Sequence, residues 1–242
     1  MKKIALQLYS LKDVIGTDVD GAFARLAAMG YDGVEFAGFY GLEAGEMKRL
    51  LDKHGLTPFS SHVGQELLRQ DAAGTIAYHK AIGCPVLVVP SAPFDSAQAI
   101  GEFAAFMEGT AAELQRQGLR LGYHNHSHEF RQFEGRYGLD LFFEKAPHVE
   151  MQLDVCWCYH AGVPVTDYLK AHRPGCTMLH MKDMKWEDGR AVMTPVGAGE
   201  VDMPALLGEA DGIDLLIVEN EDTGADPFDD AKASIKYLRS LL

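Results

Sequence analysis

Positive charge is scarce in this chain. Lys and Arg together number 22 against 35 Asp and Glu, a formal net charge of −13, and no basic run is visible. Nucleic-acid binding depends on clustered Lys and Arg that displace counterions from phosphates, so a nucleic-acid partner is disfavoured. Long apolar runs are also lacking. No stretch approaches the ~18 uninterrupted apolar residues of a membrane span, and the Met-Lys-Lys start leads into a strand-length apolar run too short for a signal-peptide core. The chain is expected to be cytoplasmic, with no membrane partner. Cysteine is sparse: the four, at 84, 156, 158 and 176, include no Cys-x-x-Cys spacing, and Cys156 and Cys158 are too close for an ordinary structural disulfide. Reduced, mostly buried thiols are expected. A Gly-x-Gly-x-x-Gly after the first strand is missing too, which removes support for a dinucleotide-binding open sheet.

Apolar residues are plentiful. At 47% of the chain they suffice for a sizeable core, and 242 residues fit one α/β barrel without a composition break that would mark a linker. Ile4–Tyr9 reads as a buried strand. Phe23, Leu26 and Ala27 then form a helical stripe ending at Gly30. Further strands are expected at Gly33–Phe36, Thr57–His62, Pro85–Pro90, Leu119–His124, Val149–Asp154, Cys176–His180 and Ile213–Glu219. Between them lie helical patterns: Met47, Leu50 and Leu51 before Gly55; one long helix over 66–82; Ile100, Phe103, Met107 and Leu114 before Gly118; Leu141 to Phe143; Val165 to Ala171; and a helix from Asp202 and Pro204. Asp226-Pro227 caps the last, with Ile235, Leu238 and Leu242 on one face. Residues 182–200 read as an unusually long polar loop. Eight strands alternating with eight helices predict a single-domain (β/α)8 TIM barrel over residues 1–242.

In such a barrel the C-terminal strand ends converge on one mouth. Here they carry Gln7 and Tyr9, Glu35, His62, His124 and His126, Asp154, His180 and Lys182, and Glu219. Within a strand, alternate side chains share a face, so His124 and His126 are expected to project together. One buried histidine is more often a satisfied core group than a ligand. A set of histidines and carboxylates at one register points to a metal or acid/base centre. Nitrogen and oxygen donors without thiolate suit Mn, Co, Zn or Mg as the divalent metal.

These residues resemble the sugar phosphate isomerase/epimerase group of xylose isomerase-like TIM barrels, which also holds inosose dehydratases and ketose 3-epimerases. The resemblance covers nearly the whole chain. It rests on Gln7-Leu-Tyr-Ser-Leu-Lys-Asp13, Gly33-Val-Glu-Phe36, Ser60-Ser-His-Val63, Tyr123-His-Asn-His126 with Glu129-Phe130, Leu153-Asp154, Leu179-His-Met-Lys-Asp183, Val196-Gly-x-Gly-Glu200 and Ile217-Val-Glu219. It implies a metal held by the ends of strands five to eight, which maps onto Asp154, His180 and Glu219. Where the family often has Glu-Asn-His, this chain has His124-Asn125-His126, so His124 takes the fourth ligand position and a symmetrical two-glutamate epimerisation does not carry over.

The implied activity is sugar isomerisation or epimerisation in carbohydrate metabolism, by proton abstraction next to a carbonyl of a keto-sugar or sugar derivative. Elimination of a β-substituent from a keto-sugar or inosose, by a dehydratase or lyase, is the alternative on the same site. Glu219, His124, His126 and His62 are the candidate catalytic residues. Glu35, Gln7, Lys182, Glu129 and Trp157 are the candidate substrate-binding residues, each with a structural reading beside it. For Glu35 and Lys182 that reading is an ion pair at the mouth, for Glu129 the orientation of a histidine, and for Trp157 packing under a loop. A non-catalytic sugar-binding barrel is a more distant alternative. A damaged-DNA endonuclease, also found in the superfamily, is opposed by the acidic balance. The expected partner is a small-molecule carbohydrate, and a homo-oligomer is among the states the sequence allows.

Overall fold

The computed structural model describes residues 2–242. Eight parallel strands close into a barrel in sequence order: β1 Lys3–Gln7, β2 Gly33–Phe36, β3 Thr57–His62, β4 Val86–Val89, β5 Arg120–His124, β6 Glu150–Asp154, β7 Cys176–Met181 and β8 Leu215–Val218. Ring closure is made by β1 against β8, with Ala5 paired to Ile217 and Leu6 to Val218. The predicted TIM barrel is thus the observed fold, and no helix among the described residues is long and apolar enough to cross a membrane.

Strand alternation divides the apolar residues between two cores. Outward side chains such as Ile4, Leu6, Leu87, Val89, Leu121, Leu179 and Leu216 pack beneath the helices. Inward ones, Ala5, Val86, Val88, Met178 and Ile217, fill the barrel axis as a separate small cluster. Two residues further along β1, β7 and β8, the same inward face carries Gln7, His180 and Glu219. The chemistry therefore rests on a dry plug, at the C-terminal ends of the strands.

Local capping fixes where the helices start. Asp18, Asp71, Ser96, Asp154, Asp202 and Asp226 each accept a backbone N–H from the first turn that follows. The expected helix over 66–82 is two helices, Gln65–Gln70 and Ala72–Ile82. Asp71 breaks it, because its side chain turns back to accept the Gly74 N–H at 2.9 Å. A short helix, Val155–His160, starts directly from the end of β6. The expected polar loop at 182–200 contains an antiparallel hairpin, Asp183–Glu187 with Arg190–Thr194, turned through Asp188 and Gly189, both at positive φ. A smaller hairpin, Gln132–Phe133 with Arg136–Tyr137, follows β5.

Candidate active site

The floor of the barrel mouth is a polar network centred on Glu35. Its carboxylate is fully buried and accepts from Gln7 Nε2 at 2.7 Å, Ser60 Oγ at 2.6 Å and Gln152 Nε2 at 2.6 Å. It also meets His180 Nε2 at 2.6 Å and His62 Nε2 at 3.1 Å. Residues from β1, β2, β3, β6 and β7 are thereby tied to one anion. Burial alone would raise the Glu35 pKa, but the imidazoles of His62 and His180 overcome it and hold the group well below the usual carboxylate range.

Gln7 and Glu35 were expected to bind substrate. Both are completely covered, and their polar atoms are occupied by each other and by their neighbours, so they support the site from beneath. Glu129 departs from expectation similarly. It is fully buried, accepts from the Tyr123 hydroxyl at 2.8 Å and the His126 backbone N–H at 2.9 Å, and so fixes the loop after β5 without reaching the cavity.

Above the floor, one donor atom from each of His124, Asp154, His180 and Glu219 lies within 4.8 Å of the others. Asp154 Oδ2 is 3.9 Å from both His124 Nε2 and His180 Nδ1, and His180 Nδ1 is 3.4 Å from Glu219 Oε2. Two of these side chains present a free atom because another atom is already engaged. Asp154 Oδ1 caps the following helix through the Trp157 N–H at 2.8 Å, and His180 Nε2 is held by Glu35. Asp154 Oδ2 and His180 Nδ1 are left buried without a hydrogen-bond partner. Buried polar atoms are rarely left so. Two imidazoles and two carboxylates converging with unpaired atoms fit a divalent cation such as Mn, Co, Zn or Mg.

The electrostatics reflect the same crowding. Burial, with Glu219 nearby, lifts Asp154 to about 7, against the pull of Lys182 and His180. Burial would depress His180, yet Glu35 and Glu219 raise it to about 10. His124 is driven well below its ordinary value by burial and by the positive neighbours His180, His62, His126 and Lys182. His126 falls to about 4 through burial and Lys182. Burial opposes ionisation of Glu219, but Lys182 and His180 prevail and bring it to about 2.

The cavity over this cluster has a volume of about 330 Å³ and is lined by Tyr9, Ala37, His62, Pro90, His124, His126, Glu219 and Glu221. His62 therefore belongs to both floor and wall: its Nε2 lies 2.8 Å from Gln152 Oε1, and its ring stacks at 5.3 Å on His180. Trp157 stands beside His126, with ring centroids 5.7 Å apart, and Lys182 Nζ lies 4.8 Å over the indole. Lys182 is only 1% exposed. Its ammonium is clamped by Glu221 at 2.7 Å and Glu219 at 3.4 Å, which makes it a buried ion-pair centre at the mouth.

Several contributors were not singled out from sequence. Gln152 shares the inward face with Asp154, two residues on, and alternation along the strand marks it. Ser60 stands in the same relation to His62 on β3. Asn125 sits inside the His-Asn-His motif and links β5 to β6, its Oδ1 accepting the Asp154 N–H at 3.0 Å. Glu221 follows Glu219 at the same spacing of two.

No curated protein matches the chain. Among solved structures, a sugar phosphate isomerase/epimerase from Parabacteroides distasonis superposes with TM-score 0.86 at 23% identity, over 99% of this chain and 98% of that one. The IolI protein, solved with a zinc atom bound, gives TM-score 0.78 at 15% identity over 100% and 98% of the two chains. The probable 3-DHS dehydratase AsbF of Bacillus anthracis gives 0.76 at 17%, over 99% of each. At these identities the likeness is one of fold. The sequence model of the xylose isomerase-like TIM barrel matches residues 23–241, so the chain that builds this closed ring and its histidine-carboxylate mouth belongs to the xylose isomerase-like TIM barrel family.

Proposed function

We propose that this protein is a divalent-metal-dependent sugar isomerase or epimerase that removes a proton next to the carbonyl of a keto-sugar. The observation that carries the reading is the buried His124, Asp154, His180 and Glu219 cluster, with unpaired donor atoms beneath an open, sugar-sized cleft. A cation held by these four residues would supply Lewis acidity, polarising the carbonyl and stabilising the negative charge that builds as the proton leaves.

The chain's own groups divide the remaining work. Glu35 fixes the orientation of His180 and leaves its Nδ1 facing the cluster. Lys182 and His180 keep Glu219 ionised. The proton carriers flank the cavity from different sides: Glu219 follows β8, whereas His124 and His126 come from β5, three strands away around the ring. His126 lines the cavity and would meet a substrate hydroxyl or proton there, a role contributing ~10²–10⁴-fold in general. Tyr9 gives the cleft a flat aromatic wall against which a sugar face packs, and Trp157 stands behind His126.

The unmatched pair, a carboxylate on one side and imidazoles on the other, also suits a second outcome of the same proton abstraction. In that outcome a β-hydroxyl departs as water, and AsbF, one of the barrels of like fold, is described as a probable dehydratase. The partner in either case is a small carbohydrate, with the acidic surface disfavouring nucleic acid.

Metal analysis of the purified protein should find about one divalent ion per chain, following the single four-donor cluster. Incubation with a panel of keto-sugars in D₂O should show deuterium entering next to the carbonyl by NMR, lost in Glu219→Gln and His124→Ala. Appearance of an unsaturated or deoxy product would select elimination. A metal-loaded protein that catalyses neither exchange nor elimination on any keto-sugar would refute the proposal.

A further inference from the structure

In (β/α)8 barrels a substrate phosphoryl group is typically held by backbone N–H groups in the loops after strands seven and eight, together with a nearby helix N-terminus. In this chain, the loop after β7 and the N-terminus of the helix after β8 are occupied by the protein's own carboxylates and carbonyls. The glycine-containing loop after β7 has no spare amide between 197 and 201. Gly197 N–H donates to Asp183 Oδ2 at 2.9 Å, Gly199 N–H to the same oxygen at 3.1 Å, and Val201 N–H to Asp183 Oδ1 at 3.1 Å. Ala198 N–H is taken by the Pro195 carbonyl at 3.0 Å and Glu200 N–H by the Met184 carbonyl at 2.8 Å. A Cβ on Gly199 would stand 2.2 Å from Asp183 Oδ1. Its bare backbone admits this internal anion and has no room for a second.

The N-terminus of the helix after β8 is satisfied from within in a different way. The helix Pro227–Leu241 starts with a proline, which has no N–H. Phe228 N–H goes to Asp226 Oδ1 at 2.8 Å, and Asp229 and Asp230 N–H go to the Asp226 carbonyl at 3.0 and 3.1 Å. The groove in front of this helix is lined by Asp13, Glu221, Asp222 and Asp230, with Lys12 as its cation. Lys12 is paired with Asp222 at 3.2 Å. Two other cations near the mouth are likewise committed, Lys182 to Glu221 and Glu219 and Lys185 to Glu187 at 2.6 Å; Arg190 is exposed at the tip of the hairpin, opposite Glu187 in register.

We infer that the substrate is a keto-sugar or keto-polyol that carries no phosphoryl group, bound as a single sugar unit in the cleft lined by Tyr9, His62, His126 and Glu221. This rests on the enolising activity proposed above and narrows its substrate class. A phosphate ester at either end of the sugar would bring about two negative charges against Glu221 and Asp222, while the amides of the loop after β7 and of the first turn after Asp226, and the nearby Lys182 and Lys12, are already paired.

The test pairs ketoses with their terminal phosphate esters on the metal-loaded wild-type protein at one ionic strength. The free sugar is expected to have the higher kcat/KM, by on the order of tenfold or more for like charges at this range in a partly buried site. An ester turned over as well as its parent sugar, or better, would overturn the inference and leave the enolising activity standing. If neither is turned over, the activity proposed above fails, and the affinities of the same pairs, measured by isothermal titration, decide the substrate class. An ester that binds more tightly than its parent sugar, or no detectable binding of any free sugar, overturns the inference, and a free sugar that binds at least as tightly as its ester upholds it.

Discussion

Replacing Glu35 with glutamine tests whether the floor of the site governs the metal centre without touching it. The change preserves shape and removes the charge that five side chains face: Gln7, Ser60, His62, Gln152 and His180. One carboxamide oxygen can satisfy only part of this set, and the new NH₂ group points at groups that are themselves donors. His180 suffers most directly, because its 2.6 Å bond to Glu35 holds Nε2 and leaves Nδ1 for the cluster. Outer partners of metal-bound histidines are worth ~10–100-fold in metal affinity, or about 1.4–2.7 kcal/mol. The Glu35→Gln protein should therefore bind Mn or Zn at least tenfold more weakly in a competitive chelator titration. It should also lose about 1–3 kcal/mol of unfolding free energy, the cost of a buried donor left unpaired. Metal affinity within threefold of wild type would show that His180 keeps its orientation by packing alone, and would refute the reasoning.

Asp154→Asn should separate function from stability. The amide oxygen can still cap the helix at Trp157, while the buried acid, lifted to about 7, is removed. Metal-free protein should melt no lower than wild type, whereas calorimetric metal affinity should fall by more than the ~10–100-fold of an outer-partner change. Asp183→Asn turns an NH₂ toward the backbone donors of Met184, Gly197, Gly199 and Val201; urea unfolding should report a loss of about 3 kcal/mol. The pair His172 and Asp140, 3.2 Å apart, supplies a pH signature away from the site. The Asp140 bond raises the His172 pKa above its ordinary 6.5, against burial. Burial would raise Asp140, but His172 and Tyr168 together lower it below 3.8. The His172 contribution is complete below pH 6.5 and fades as pH rises through the higher folded value, while the Asp140 contribution fades only as pH falls below 3.8. The stability difference between wild type and His172→Gln should accordingly be larger at pH 5.5 than at pH 9 in matched urea titrations.

Much of the barrel was legible because its strands are short apolar runs set between helix stops; the convergence of strand ends then gathered His124, Asp154, His180 and Glu219 at one mouth, and the family resemblance singled out the last three as ligands. Alternation says which face a side chain takes and not how high along the axis it stands. Glu35 and Gln7 were therefore expected in the cavity, whereas β1 and β2 pair Gln7 directly with Glu35 one layer below it. The hairpin at 183–194 escaped notice because its strands mix Asp, Lys and Glu with Met and Trp, which reads as a polar loop. The Asp188-Gly189 pair was its one available signal. His124 stands at the end of β5, where the resemblance leads one to expect a glutamate, and its Nε2 lies 3.9 Å from Asp154 Oδ2.

The buried cysteines offer a way to watch this barrel open. All four are free thiols with 3% exposure or less, and burial pushes Cys84 and Cys176 up to about 12 and raises Cys156 and Cys158 as well. A thiol held protonated and covered reacts only when its surroundings come apart. Cys84 and Cys176 lie at the start of β4 and β7, below the plug, and Cys156 and Cys158 lie on the helix that leaves β6 at the mouth. Rates of alkylation, read site by site by mass spectrometry, would thus act as native clocks at the two ends of the ring. Ligand or metal binding that slows the upper pair alone would reveal breathing of the mouth distinct from global unfolding.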